Sequence, residues 1–194
     1  KKILMCGTNT DVGKTYITNL IIKKIMYQRR VGAYKPIESG CNKKRGSLVP
    51  NDAKIYFDTL KGQLPLDIIN PYRFQPPISP RRAIKLARKK IYNKDLTSHL
   101  INFANCDYLF IEGAGGICSP LTLDGLNIDV MKKIGGDAIL VAKDEIGVIN
   151  NVLLSISKLA PLIASRLRIY PSPIQEFVVG SIIEEVMIPT CFPS

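Results

Sequence analysis

The feature that constrains this chain most is one junction, where the apolar run Ile3-Leu4-Met5-Cys6 gives way to Gly7-Thr8-Asn9-Thr10-Asp11-Val12-Gly13-Lys14-Thr15. The apolar run has the length of a buried strand. From Lys14 to about Gln28, apolar residues recur at helical spacing, in Tyr16/Ile17, Leu20/Ile21 and Ile25. A strand, a glycine-bearing turn and a helix in that order make a phosphate cradle. Backbone amides of the turn and the first helical turn point at one anion, and the aligned peptide dipoles favour negative charge there. Gly13 permits close backbone approach, Lys14 reaches terminal phosphates, and Thr15 offers a hydroxyl to Mg²⁺. The general pattern G-x-x-x-x-G-K-[ST] places a glycine at position 8; here Thr8 stands there and Gly7 comes one residue earlier.

Apolar runs of strand length alternate with helical stretches through most of the chain, the pattern of an α/β protein with a parallel sheet between helices. Strands are expected at Val31–Lys35, stopped by Pro36, at Tyr108–Ile111, at Ala138–Ala142 and at Phe177–Ile183. Helices are expected at Ala53–Leu60, capped by Asn51 or Asp52 and ended by Gly62, and at Pro80 to about Ile91. Others are expected at Leu96–Asn105, Ile128–Ile134 and Gly147–Ala160. Leu64–Pro80, with five prolines, reads as irregular loop. The 194 residues, 46% hydrophobic and 22% charged, suit one buried core, and residues 1–194 are read as a single domain.

No apolar run approaches the roughly 18 to 20 residues of a membrane span. A soluble, cytoplasmic protein without membrane attachment is expected. Five scattered cysteines with no C-x-x-C pair read as reduced and structural. The net charge of +11 raises nucleic acid as a partner. However, Lys23-Lys24, Arg29-Arg30, Lys43-Lys44-Arg45 and the run Arg81–Lys90 lie in different segments without interleaved aromatics, so they read as solvated faces.

A nucleotide held with Mg²⁺ requires hard oxygen ligands. Asp52, at a helix start, and Glu112, at the carboxyl end of Tyr108–Ile111, stand where a parallel sheet binds ligands, although Asp52 also reads as a helix cap and Glu112 as a loop-end surface carboxylate. Lys35, ending the second strand, belongs to the same rim and suits charge that builds on an acceptor during phosphoryl transfer.

These residues resemble the dethiobiotin synthetase family. The likeness is carried by Gly7–Thr15 with its early glycine, Lys35-Pro36-Ile37-Glu38-Ser39-Gly40, Asn51-Asp52-Ala53, Asn70-Pro71-Tyr72-Arg73-Phe74, Ser79-Pro80, Glu112-Gly113-Ala114-Gly115-Gly116 and Gly147-Val148-Ile149-Asn150, in the family's order from Lys1 to about Leu159. The resemblance implies a three-layer P-loop NTPase-like fold, with a mostly parallel central sheet flanked by helices. It also implies an ATP-dependent, C–N bond-forming ligase of biotin biosynthesis, which converts 7,8-diaminopelargonic acid, CO₂ and MgATP to dethiobiotin through a carbamate and a carbamic-phosphoric mixed anhydride.

On matching positions, Lys14 and Lys35 would be catalytic. ATP would be bound by Thr10, Asp11, Val12, Gly13, Lys14, Thr15, Asp52 and Glu112, and Mg²⁺ by Thr15, Asp52 and Glu112. Substrate would meet Thr10, Asp11, Lys35, Ser39, Gly115 and Gly116, together with Val148, Ile149 and Asn150 of a second subunit in a homodimer.

The chain departs from the family in three places. It has no asparagine after Asn151 to read adenine, which leaves backbone groups and Gln175 or a weakened base site. Arg81 replaces a histidine after Ser79-Pro80, and residues 161–194 match no family motif. His99 is read as a surface residue. A partner-activated ATPase of the related partitioning type would carry an extra lysine near the first glycine, where Thr8-Asn9-Thr10 has none. A basic nucleic-acid-binding protein and a synthetase with impaired nucleotide binding are the other readings.

Overall fold

Strand β1 (Lys2–Gly7) is buried from Ile3 to Gly7, as a parallel strand must be when helices cover both of its faces. It lies inside the central sheet of the computed structural model, which describes residues 1–163, 169–171 and 176–180, with side chains through residue 160. The elements that follow are α1 (Lys14–Ile25), β2 (Val31–Tyr34), β3 (Ile37–Ser39), β4 (Asn42–Lys44), β5 (Ser47–Val49), α2 (Asp52–Thr59), α3 (Leu66–Ile69) and β6 (Tyr72–Phe74). After these come α4 (Pro80–Leu86), α5 (Asn93–Ser98), a 3₁₀ turn (His99–Phe103), β7 (Tyr108–Glu112), α6 (Asn127–Ile134), β8 (Asp137–Lys143), α7 (Val148–Ile163), β9 (Ile169–Pro171) and β10 (Glu176–Gly180).

Among the described residues the main sheet runs β2-β7-β1-β8-β10-β9. The first four strands are parallel, and β10 and β9 add antiparallel at one edge. This is the α/β fold with a mostly parallel, helix-flanked sheet that the sequence predicts.

The alternation of strand side chains divides the core into two layers. Ile3, Met5, Val31, Ala33 and Phe110 face Ile17, Ile22 and Ile25 of α1 and Ala53 and Tyr56 of α2. Leu4, Cys6, Tyr34, Leu109 and Ile111 face Ile84 of α4, Leu96 of α5 and Val130, Met131 and Ile134 of α6. Register then sets the functional edge. Tyr34 pairs with Ile111 and Met5 pairs with Glu112, so Lys35, Glu112 and the turn after Gly7 emerge together at the carboxyl ends of β2, β7 and β1.

Several boundaries differ from the expectation. Leu64–Pro80 is not an irregular loop: it holds α3 and β6, and β6 pairs in parallel with β3. Its prolines flank these elements, where they cost no ladder bond. The exposed hairpin β4–β5, turned through Arg45 (φ 47°) and Gly46 (φ 84°), carries no apolar period to announce it. Helix α4 stops at Leu86 instead of about Ile91, and Arg88 turns left-handed (φ 53°) just beyond. Helix α1 ends at Ile25 rather than about Gln28, while α7 continues past Pro161 to Ile163. The helix expected from Leu96 starts at Asn93, where the Asp95 carboxylate accepts the Tyr92 amide, and finishes as the 3₁₀ turn. The strand expected at Phe177–Ile183 is β10 over its described part, and Gln175 lies outside the described residues.

Candidate active site

The turn between β1 and α1 is shaped by its lysine. The Lys14 side chain folds back across Gly7 and donates to the Asn9 carbonyl at 2.9 Å. A Cβ on Gly7 would stand 2.8 Å from Lys14 Nζ and 2.9 Å from the Asn9 oxygen, so the early glycine is what lets the lysine lie there. Gly13 (φ 92°) and Asp11 (φ 54°) both adopt the left-handed region, natural for the first and costly for the second. Burial lowers the pKa of Lys14 and nearby Lys35 pushes it the same way, against the pull of Glu112 and Asp52.

Beside the turn, Lys35 Nζ donates to Glu112 Oε1 at 2.6 Å and to Asp52 Oδ2 at 2.8 Å. Thr15 Oγ1 lies 3.0 and 3.2 Å from the two oxygens of Glu112, and Tyr56 Oη donates to Glu112 Oε2. Lys35 and Glu112 are buried while the Asp52 side chain is partly open to solvent. Burial disfavours the Lys35 ammonium, but Glu112 and Asp52 outweigh it and raise its pKa above the ordinary lysine value. Burial also opposes the Asp52 carboxylate, yet Lys35 and Thr15 hold its pKa below the usual range. The set of two carboxylates and a hydroxyl, with both acids within 2.8 Å of one cationic nitrogen, offers the hard oxygens that Mg²⁺ takes alongside phosphate and water. This donor set fits such an ion.

Three further side chains had no role assigned from the sequence. Asn51 and Asp52 do not cap α2 with their side chains. The buried Glu38 carboxylate does so from β3, accepting the amides of Asn51, Asp52 and Ala53, the last two at 2.9 and 3.1 Å. This leaves Asp52 free for Lys35. Asn127 binds the Ala114 amide and donates to the Ala114 and Gly116 carbonyls at 2.6 and 2.8 Å, which fixes the glycine-rich turn after β7. A Cβ on Gly113 would fall 2.2 Å from Asn127 Oδ1. Arg81 donates to the Thr122 and Gly125 carbonyls at 2.7 and 3.0 Å, so it braces a loop away from the cavity. The motif Lys35–Gly40 contained the signal for Glu38; for Asn127 and Arg81 only the fold supplies it.

Thr10, Asp11, Gly13, Lys14, Thr15, Lys35, Ser39, Asp52, Glu112 and Gly115 line one cavity of about 490 Å³. Val12 is in the core. Gly116 lines a neighbouring concavity with Thr8 and Asn151, and Val148, Ile149 and Asn150 line a third at the start of α7. His99 is half-buried between Tyr34 and Tyr72, with ring centroids 6.5 and 5.8 Å away, rather than on the surface.

A family model described as an AAA domain matches residues 1–162. The chain is 31% identical over 157 residues to the ATP-dependent dethiobiotin synthetase of Ruthia magnifica subsp. Calyptogena magnifica, covering 81% of this chain and 72% of that protein. It is 36% identical over 157 residues to the enzyme of that name from Legionella pneumophila (strain Corby), covering 80% and 72%. It is 35% identical over 158 residues to that of Aeromonas salmonicida (strain A449), covering 80% and 70%. The phosphate-loop geometry, the acids gathered around Lys35 and these relatives agree, and the chain belongs to the dethiobiotin synthetase family.

Proposed function

We propose that this protein closes the ureido ring of dethiobiotin from 7,8-diaminopelargonic acid, CO₂ and ATP. The observation that carries the reading is the convergence of Lys14, Thr15, Lys35, Asp52 and Glu112 on one cavity lined also by Thr10, Asp11 and Ser39.

One substrate amine adds to CO₂, forming a C–N bond and releasing a proton. An oxygen of this carbamate attacks the γ-phosphorus as the bond to ADP breaks. The second amine then adds to the activated carbonyl carbon, phosphate departs, and the remaining N–H proton is released. A carbamate is a poor electrophile until phosphorylated, which is what ATP supplies. A magnesium ion held by Thr15, Asp52 and Glu112 would neutralise charge on the nucleotide phosphates. Lys14 and Lys35 balance charge on the γ-phosphate and carbamate, and the raised pKa of Lys35 keeps it cationic at neutral pH. The amides of the turn from Thr10 to Thr15 hold the phosphates. Thr10, Asp11 and Ser39 receive the diamine end, and the backbone at Gly115 and Gly116 accommodates the substrate chain.

The substrate carboxylate is taken by Val148, Ile149 and Asn150 of a second copy in a homodimer. This is supported by the exposed apolar face formed by Ile146, Ile149, Leu153 and Leu154. Residues 1–194 act as one unit, and the expected compartment is the cytoplasm. Among the described residues no helix is long and apolar enough to cross a membrane.

Phosphate release from MgATP is expected only with diaminopelargonate and bicarbonate both present, and Lys14→Gln should lower it at least about 100-fold. Diamine-independent hydrolysis at an equal rate would reject the synthetase in favour of a partner-activated ATPase.

A further inference from the structure

Tyr56 lies one helical turn after Asp52 on α2, so both side chains leave the same face of that helix. It is 1% exposed, and its phenol donates to Oε2 of Glu112. The two oxygens of Glu112 therefore differ in their partners: Oε2 takes the phenol, Oε1 takes Lys35 at 2.6 Å, and the Thr15 hydroxyl lies between them at 3.0 Å from Oε1 and 3.2 Å from Oε2. The contact joins β7, which supplies one acid, to the helix that supplies the other.

We infer that Tyr56 is a positioning residue for the magnesium site: it fixes the rotation of the Glu112 carboxylate so that Oε1 is the oxygen presented toward Lys35, which also holds Asp52. The inference rests on reading the cavity as a MgATP site. Carboxylate ligands hold their geometry through such outer partners, and loss of one typically weakens metal binding 10–100-fold. A phenol that merely satisfied a buried acid would affect stability and leave metal dependence alone.

Calorimetric titration of the whole protein with ATP, once in chelator and once in excess Mg²⁺, separates these cases. Tyr56→Phe keeps the ring and removes the donor. It should bind ATP in chelator as the parent does, within about twofold, while the gain in affinity on adding Mg²⁺ shrinks by about tenfold or more. An equal Mg²⁺ gain in parent and variant would overturn the role of Tyr56 and leave the site reading intact. Equal losses with and without Mg²⁺ would do the same. No Mg²⁺ gain in the parent would overturn the site reading itself. If Tyr56→Phe does not fold, 3-fluorotyrosine placed at position 56 retains ring and donor. Its fluorine resonance should move when Mg²⁺ is added to the ATP-saturated protein, and an unmoved resonance would overturn the inference.

Discussion

Single side chains here are governed by how little water reaches them. Cys6 and Cys41 are buried free thiols whose pKa values burial pushes up to about 12 and about 11, whereas Cys118 is exposed. A thiol with pKa near 11 is about one part in a thousand thiolate at pH 8, and the thiolate is the reactive form. Mild alkylation at pH 8 should therefore label Cys118 at once and leave Cys6 and Cys41 intact until denaturant is added. Mass spectrometry of the digested protein checks this, and labelling of Cys41 in the native protein should rise as pH climbs towards 11. At this scale the sequence exposed what sits at the end of an element. Lys14, Thr15 and Asp52 open helices, Glu112 ends β7 and Lys35 directly follows β2, which stops at Tyr34 and not at Lys35 as expected, so topology alone brings them to one edge. Tyr56 and Asn127 lie inside or at the start of helices of ordinary composition. Their partners, Glu112 and the turn at Ala114–Gly116, are set by tertiary register that no local pattern records.

Helix α2 shows how an element can be held by a residue outside it. With Glu38 as its N-terminal acceptor, three amides are satisfied by one buried carboxylate. Glu38→Ala would strand them, and chemical denaturation should show a loss of about 1–2 kcal/mol, the scale of a lost helix cap. Because Asp52 is the first residue of that helix, the same variant should weaken ATP binding in Mg²⁺ more than in chelator. The apolar strands β1, β7 and β8 and the amphipathic helix α6 were legible because their period and their burial agree. Strands β3 and β6 were not, since each has three residues, too few to display a period, and each depends on the other for pairing.

At the scale of the whole molecule, α7 presents Ile149, Leu153 and Leu154 to solvent at 74%, 61% and 60% exposure, which supports the proposed pairing with a second copy. Leu153→Asp should shift sedimentation towards the monomer and raise KM for the diamine without preventing ATP binding. The four-strand parallel framework followed from the alternation of apolar runs, but its antiparallel extension by β10 and β9 did not, because prolines at 161, 171 and 173 obscure the spacing. The chain as a whole is strongly basic, at +11, yet this surplus stops at the mouth of the cavity. Among the described residues lining it, Asp11, Glu38, Asp52 and Glu112 outnumber Lys14 and Lys35 by two formal charges. On the proposed function, a bare polyphosphate would approach a pocket already in anionic credit, so the nucleotide would be expected to enter as a salt, escorted by a divalent ion, and the diammonium form of the diamine would be drawn in by the same imbalance.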